Sequence, residues 1–260
     1  MTDIDGDWLK ERLLHCFEGE QIRLIEALSS SSTNPCFRIQ TQYRDYFCKV
    51  LHHDVLPVSQ RKKLFSMQHQ LALQHIAVKP VQFIEAHRIW IDEWITGSAL
   101  SDSHPVSPDT LNCLASTLAK IHSVCPPDVQ VDLKSAWQRY IAMSGKQQGR
   151  WQRHADRLLP ILEQDRDFCF CHNDLHIQHV FIEGSGTRVI DWEYAGLGHR
   201  AFDLCATIKI NGLDEQAMRD FMKAYSMYSG LEVESLLENV ARMAPVVDFT
   251  NDLWHNAVSL

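Results

Sequence analysis

The chain has 260 residues, 45% of them apolar and 22% charged, with 33 acidic against 25 basic side chains and a formal net charge of -8. Length and apolar content provide for one large domain or two packed lobes and exclude disordered, collagen-like and coiled-coil chains. The acid excess, with no long basic run, argues against a nucleic-acid binder held by phosphate contacts and suits a cationic or metal-chelated ligand. No apolar stretch approaches the roughly 20 residues of a membrane helix, and the acidic start from Met1 to Asp7 lacks the basic region of a secretion signal. The expectation is a soluble, cytoplasmic protein with neither a membrane nor a nucleic-acid partner; oligomeric state is left open. Eight cysteines without framework spacing read as reduced, mostly buried thiols.

In chain order, Asp7 to Phe17 predicts a helix with Asp7 as its capping acid and Trp8, Leu9, Leu13 and Leu14 as its apolar face. Extended segments follow at Ile22 to Leu28, Cys36 to Gln40 and Tyr46 to Leu51, the last alternating between two faces. Ser59 to Ile76 reads as a helix, and Val81 to Glu85 with Ile89 to Ile95 as a hairpin. Together these predict a small antiparallel sheet with one inserted helix. After Gly19 the next glycine is Gly97, which divides residues 1–96 from residues 97–260. Beyond it, Ser107-Pro108-Asp109 starts a helix with Leu111, Leu114, Leu118 and Ile121 on one face. Helices near 133–144 and 150–164 come next, then short strands at Phe168 to Cys171, Val180 to Ile182 and Arg188 to Asp191, and helices to the end.

The densest polar segment lies in that strand cluster. It runs Cys171-His172-Asn173-Asp174-Leu175-His176-Ile177-Gln178-His179, followed by Val189-Ile190-Asp191-Trp192-Glu193-Tyr194. Two apolar strands each end in a carboxylate, which lets Asp174 and Asp191 meet at one edge and face a common ligand. Paired edge carboxylates repel unless a cation or shared proton lies between them. One can hold a metal while the other takes a proton from a hydroxyl, the division of labour that phosphoryl transfer requires.

His172-x-Asp174, Asp191-Trp192-Glu193-Tyr194-Ala195-Gly196 and Phe202-Asp203-Leu204 closely resemble the aminoglycoside phosphotransferase and choline/thiamine kinase superfamily. Its members have a protein-kinase-like α+β fold, with a small antiparallel-sheet lobe and a larger, mostly helical one. Ser32-Thr33-Asn34 before Phe37-Arg38-Ile39 resembles the family's phosphate loop, Glu93-Trp94-Ile95 its adenine hinge, and Leu118 to His122 the helix before its catalytic loop. The resemblance implies that Asp174 is the catalytic base and that His172 braces its loop. It makes Asp191 the magnesium ligand, Glu193 an assistant at the second metal or substrate side, and Lys49 the group reaching the ATP phosphates. Ser31, Ser32, Thr33 and Asn34 would cradle those phosphates. The implied cofactors are ATP and Mg2+ or Mn2+, with ATP held between the lobes.

Three departures stand out. His179 occupies the position of the family's second-metal asparagine, and imidazole suits transition metals better than magnesium. The acid that usually orients the lysine has no counterpart between Val50 and Ile84 except Asp54, and the nearest helical candidate is Gln68, which by itself reads as an exposed polar residue. The serine-rich loop Ser29 to Asn34 carries no glycine.

Two other readings remain in view. Cys169, Cys171, His172, His176 and His179 have zinc-ligand types, and a zinc-dependent hydrolase could use His172, Asp174, His176 and His179. A catalytically impaired nucleotide-binding relative is the non-enzyme alternative. The preferred acceptor is a small cationic alcohol, thiamine or a choline- or ethanolamine-like molecule ahead of an aminoglycoside. The form Asp191-Trp192-Glu193-Tyr194-Ala195-Gly196 is nearest the bacterial thiamine- and choline-kinase-like branch.

Overall fold

The structure is a computed structural model that describes residues 4–13, 16–17, 19–28, 34–51, 56–102, 106–125, 129–184 and 186–258. The chain divides into two compact units, Met1–Thr96 and Gly97–Leu260.

The first unit opens with α1 (Gly6–Leu13), whose Leu9 and Leu13 are buried. Its capping acid is Asp5 rather than Asp7, because Asp5 Oδ1 accepts the Trp8 amide at 2.8 Å. Cys16 and Phe17 lie beyond the helix in a turn, so the predicted reach to Phe17 is too long. Then come β1 (Ile22–Leu28), β2 (Cys36–Thr41), β3 (Asp45–Val50), α2 (Val58–Leu73), β4 (Pro80–Ile84) and β5 (Ile89–Glu93). The strands form one antiparallel sheet in the order β1-β2-β3-β5-β4, with α2 inserted between β3 and β4 as the sequence predicts.

Strand alternation sorts this sheet into two faces. Tyr46, Cys48 and Val50 of β3 join Ile89 and Ile91 of β5 in a core with Leu9, Leu13, Phe37 and Ile39. The other face carries Phe47 and Lys49 opposite Asp92 and Trp90. Helix α2 covers that second face, with Phe65 edge-on to Trp90 at 5.2 Å between ring centroids.

The second unit contains β6 (Ser98–Ala99), α3 (Pro108–His122), α4 (Leu133–Met143), α5 (Gln148–Gln164), β7 (Phe168–Cys171), β8 (Val180–Glu183), β9 (Gly186–Val189), β10 (Gly196–His199), α6 (Arg200–Ile210), α7 (Glu215–Ser229) and α8 (Val233–Val258). Helix α3 starts as expected: the Ser107 side chain accepts the Thr110 amide at 3.1 Å, and Pro108 fills the first turn. Its Leu111, Leu114, Leu118 and Ile121 are buried. At the other end of the unit, Trp137 of α4 meets Phe249 of α8 edge-on at 4.9 Å, and burying each such side chain contributes about 2 kcal/mol.

The predicted single strand cluster is two sheets. β7 pairs with β10, whereas β8 pairs with both β6 and β9. Gly97 leads into β6 where only hydrogen fits, because a Cβ there would stand 2.4 Å from the carbonyl oxygen of Ile182 on β8.

Candidate active site

The loop after β7 carries His172, Asn173 and Asp174, and three fastenings shape it. His172 is fully buried and donates Nε2–H to the Ile190 carbonyl at 3.1 Å, while its Nδ1 accepts the Asp174 amide at 3.3 Å. Both ring nitrogens are thus committed to the neutral imidazole, and burial, reinforced by His179, pushes its pKa down to about 4. Asn173 holds a left-handed φ of 66° and donates Nδ2–H to the Tyr194 carbonyl at 2.9 Å. The buried Asp203 carboxylate of α6 accepts the backbone amides of His172 at 2.7 Å and Asn173 at 2.8 Å. Its remaining neighbour is His122 of α3, whose Nε2 lies 3.1 Å away. These donors hold the Asp203 pKa below the usual carboxylate range even though burial acts to raise it.

The same helix fastens the far side of the loop. Asn211, just past α6, donates Nδ2–H to the Leu175 carbonyl at 2.9 Å and accepts the Ile177 amide at 2.8 Å. The segment from His172 to Ile177 is therefore pinned from both ends of α6.

Asp191 follows β9 in a left-handed conformation, φ 65°. It is brought towards Asp174 by the His172–Ile190 and Asn173–Tyr194 bonds, not by a shared sheet edge, since β7 and β9 belong to different sheets. His179 closes a single 3-10 turn, and its ring is close to Asp191. Nδ1–H donates to the Asp174 carbonyl at 2.9 Å, which leaves the lone pair on Nε2, 3.9 Å from Asp191 Oδ2. One carboxylate and one bare imidazole nitrogen at that separation fit a divalent ion, and the mixed donor set favours manganese or another transition metal over magnesium.

The Tyr194 phenol lies in the field of the acids of this segment. Its pKa is pushed up first by burial, then by the charges of Glu193, Asp174 and Asp191, with Tyr140 also contributing. The three acids whose charges act on this phenol make its surroundings negative, which suits a metal-chelated anion and a cationic acceptor. Trp192 takes no part in it, being buried with its Nε1–H bonded to the Val189 carbonyl at 2.9 Å.

In the first unit, Lys49 lies on the α2-covered face of the sheet, opposite Trp90. Gln68 is buried rather than exposed, and its amide donates to the Val78 carbonyl at 3.0 Å and to Asp92 Oδ1 at 2.9 Å. Asp92 also accepts Trp90 Nε1–H at 2.9 Å. This buried acid is diagonal to Lys49 on the same face. It sits on β5, two residues after the position opposite the lysine and beyond the stretch from Val50 to Ile84. Glu93 binds Lys79 at 3.2 Å, and Trp94 stacks under the Arg38 guanidinium at 4.6 Å. Both residues pass their amide hydrogens to backbone carbonyls, of Lys79 and Asp45 respectively, and Ile95 follows them half-buried. Asn34 is buried just before β2; Ser31, Ser32 and Thr33 lie outside the described residues.

The proposed zinc donors do not assemble as expected. His172 has no nitrogen to spare, and the cysteine pair takes its histidine from α3: His122, Cys169 and Cys171 form the cluster. All eight cysteines are free thiols, five of them buried.

Residues 24–237 match the model of the phosphotransferase enzyme family. Mouse ethanolamine kinase 2 is 29% identical over 130 residues, 43% of this chain and 33% of that protein. Thiamine kinase from Salmonella paratyphi B is 30% identical over 83 residues, 32% of this chain and 29% of that protein. These alignments span about a third of the length of either curated relative. The fold matches choline kinase LicA from Streptococcus pneumoniae at a TM-score of 0.73 and 18% identity, covering 97% of this chain and 90% of that one. Plasmodium vivax ethanolamine kinase matches at 0.72 and 15% identity, covering 90% and 75%.

Proposed function

From the premise that this chain belongs to the phosphotransferase enzyme family, we propose that it moves the γ-phosphoryl group of ATP to the hydroxyl of a small cationic alcohol. Thiamine or a choline- or ethanolamine-like molecule comes first, and an aminoglycoside is the weaker candidate. The observation that carries this reading is the tying of the Asp174 loop to the Asp191 segment by His172–Ile190 and Asn173–Tyr194, with His179 bonded to the Asp174 carbonyl and 3.9 Å from Asp191, in a loop fastened by Asp203.

Each residue has a part in that reaction. Asp174 accepts the proton of the acceptor hydroxyl as the phosphoryl group departs from the nucleotide. His172 orients it through the amide bond to Nδ1 and the tie to Ile190. Asp191 and His179 Nε2, with Glu193 to one side, would hold the divalent ion, which when bound neutralises phosphate charge. Lys49 reaches the phosphates, Asn34 with Ser31, Ser32 and Thr33 surrounds them, and Glu93, Trp94 and Ile95 receive the adenine. Tyr194, Tyr140 and the surrounding carboxylates select a cationic acceptor. Among the described residues no helix is long and apolar enough to cross a membrane, and the free thiols together with ATP use favour the cytoplasm.

ADP release from ATP, with Mg2+ or Mn2+ and with thiamine, choline, ethanolamine or an aminoglycoside as acceptor, tests the reading. Acceptor-dependent turnover that falls by about 100-fold or more in Asp174→Asn supports it. ATP binding without turnover would make the chain a nucleotide-binding module, and undiminished turnover in Asp174→Asn would remove the base assignment.

A further inference from the structure

Cys169 and Cys171 stand two residues apart on β7, so both side chains leave the same face of the strand. Their Sγ atoms are 3.7 Å apart. The imidazole of His122 completes a trio whose ligand atoms all lie within 4.8 Å of one another, every member buried. The proposed phosphoryl transfer makes no use of these sulfurs. We propose that His122, Cys169 and Cys171 bind one thiophilic d10 cation, Zn2+ foremost, at the root of the loop that carries Asp174, with a water in the fourth tetrahedral position.

Three physical points support it. Two sulfurs each about 2.3 Å from a tetrahedral zinc ion are themselves about 3.8 Å apart, so the strand already presents its thiols at coordinating separation. The imidazole nitrogen must then stand about 3.6 Å from each sulfur, an approach of about 1 Å at most. A disulfide is the poorer fit, since residues two apart on a strand have Cα atoms about 6.7 Å apart, at the upper edge of disulfide geometry.

Charge gives the second point. A dication bound by two thiolates and a neutral imidazole carries no net charge, which a buried site favours. Binding sends the thiol protons, and any proton on the ligating nitrogen, to solvent. The third point is the outer shell: His122 Nε2 faces the Asp203 carboxylate at 3.1 Å, the carboxylate–histidine arrangement that fixes a ligating ring. Nδ1 then faces the metal, releasing the Tyr225 hydroxyl it now meets at 2.7 Å. Thiolate donors reject magnesium, so this site and the acidic one take different ions.

The test is a Co2+ titration of the reduced, chelator-stripped full chain. One equivalent should produce sulfur-to-cobalt charge-transfer absorption and the ligand-field bands of tetrahedral cobalt, both abolished by Zn2+. Cys169→Ser should lose the charge-transfer band, whereas Cys113→Ser and Cys125→Ser keep it. Absence of the band from the unmodified chain, or its survival in Cys169→Ser, overturns the site. If Cys169→Ser fails to fold, X-ray absorption of the zinc-loaded unmodified chain decides. Two sulfurs and a nitrogen around zinc support the proposal; a shell of oxygen and nitrogen alone refutes it.

Discussion

The Asp203 carboxylate accepts the backbone amide of His172 at 2.7 Å, and through that bond the first turn of α6 sets the position of the whole loop. A second bond to the Asn173 amide and a third to His122 leave this buried acid with charge-assisted partners on every side. The cost of burying one carboxylate is thereby offset by donors from two separate elements, the loop after β7 and α3. Asp174 inherits its place from that arrangement, two residues along the chain.

Asp203→Asn keeps one acceptor but substitutes an NH2 group for an oxygen that faces N–H donors. Losing a buried charged acceptor of this kind costs about 3 kcal/mol. Urea denaturation should show a lower midpoint with an unchanged slope, and kcat should fall more than the KM for ATP, because Asp203 positions the base and touches no nucleotide. A variant as stable as the original chain would mean that the two amides find other acceptors.

Asn211 guards the far end of the same loop with both halves of its amide. Asn211→Ala leaves the Leu175 carbonyl and the Ile177 amide without a partner in a region where both residues are buried. The expected loss is about 2 kcal/mol, with faster amide exchange at Ile177 as the local readout. Asn211→Asp, which can still accept from Ile177 but cannot donate to Leu175, should fall between the two. Equal exchange at Ile177 in all three proteins would show that the 3-10 turn holds itself.

The loop from His172 to His179 was legible because so many polar residues interrupt apolar strands within a few positions, a signal local in sequence. The sheet of the first unit was legible for a similar reason, since Phe47, Lys49 and Leu51 alternate visibly with Tyr46, Cys48 and Val50. What holds the loop was not legible. Asp203 lies 31 residues from His172 and 81 from His122, and periodicity measures burial without naming partners. β6 has two residues and β10 reads Gly-Leu-Gly-His, so neither carries an apolar alternation that would announce a strand. Gln68 looked exposed because a polar helix residue usually is, and its burial depends on Asp92, 24 residues further on.

Two buried histidines tie stability to pH in opposite senses. His172 is held neutral, with its pKa pushed down to about 4. Between that value and its ordinary pKa the unfolded chain binds the extra proton, so acidification below about pH 6.5 removes stability at up to about 1.4 kcal/mol per pH unit. His122 behaves oppositely: burial acts to lower its pKa, but Asp203 and Cys169 prevail and raise it. Its contribution is complete below the ordinary imidazole pKa and is lost as pH climbs through the raised value. The Cys169 thiol, its pKa lowered to about 6 by Cys171 and His122, gains stability over that same range, so unfolding free energy should rise from about pH 4 to about pH 6.5 and change little just above it. His172→Gln, which can still donate to Ile190 and accept from Asp174, should flatten the acid side alone. An acid limb of unchanged steepness in that variant would assign the proton uptake to another group.

His179 gives the acidic centre its own ion preference. Its Nδ1–H is spent on the Asp174 carbonyl, so Nε2 offers a lone pair beside the Asp191 carboxylate. Manganese accepts such a nitrogen readily, whereas magnesium binds oxygen donors and keeps its waters. In the unmodified chain the ratio of Mn2+- to Mg2+-supported turnover should be high, and His179→Asn, which supplies a carbonyl oxygen instead, should lower that ratio about tenfold, or 1.4 kcal/mol. Pulsed electron paramagnetic resonance of bound Mn2+ reads the ligand directly. Modulation from an imidazole nitrogen is expected in the unmodified chain and should vanish in His179→Asn, and its absence from both would place the ring outside the coordination sphere.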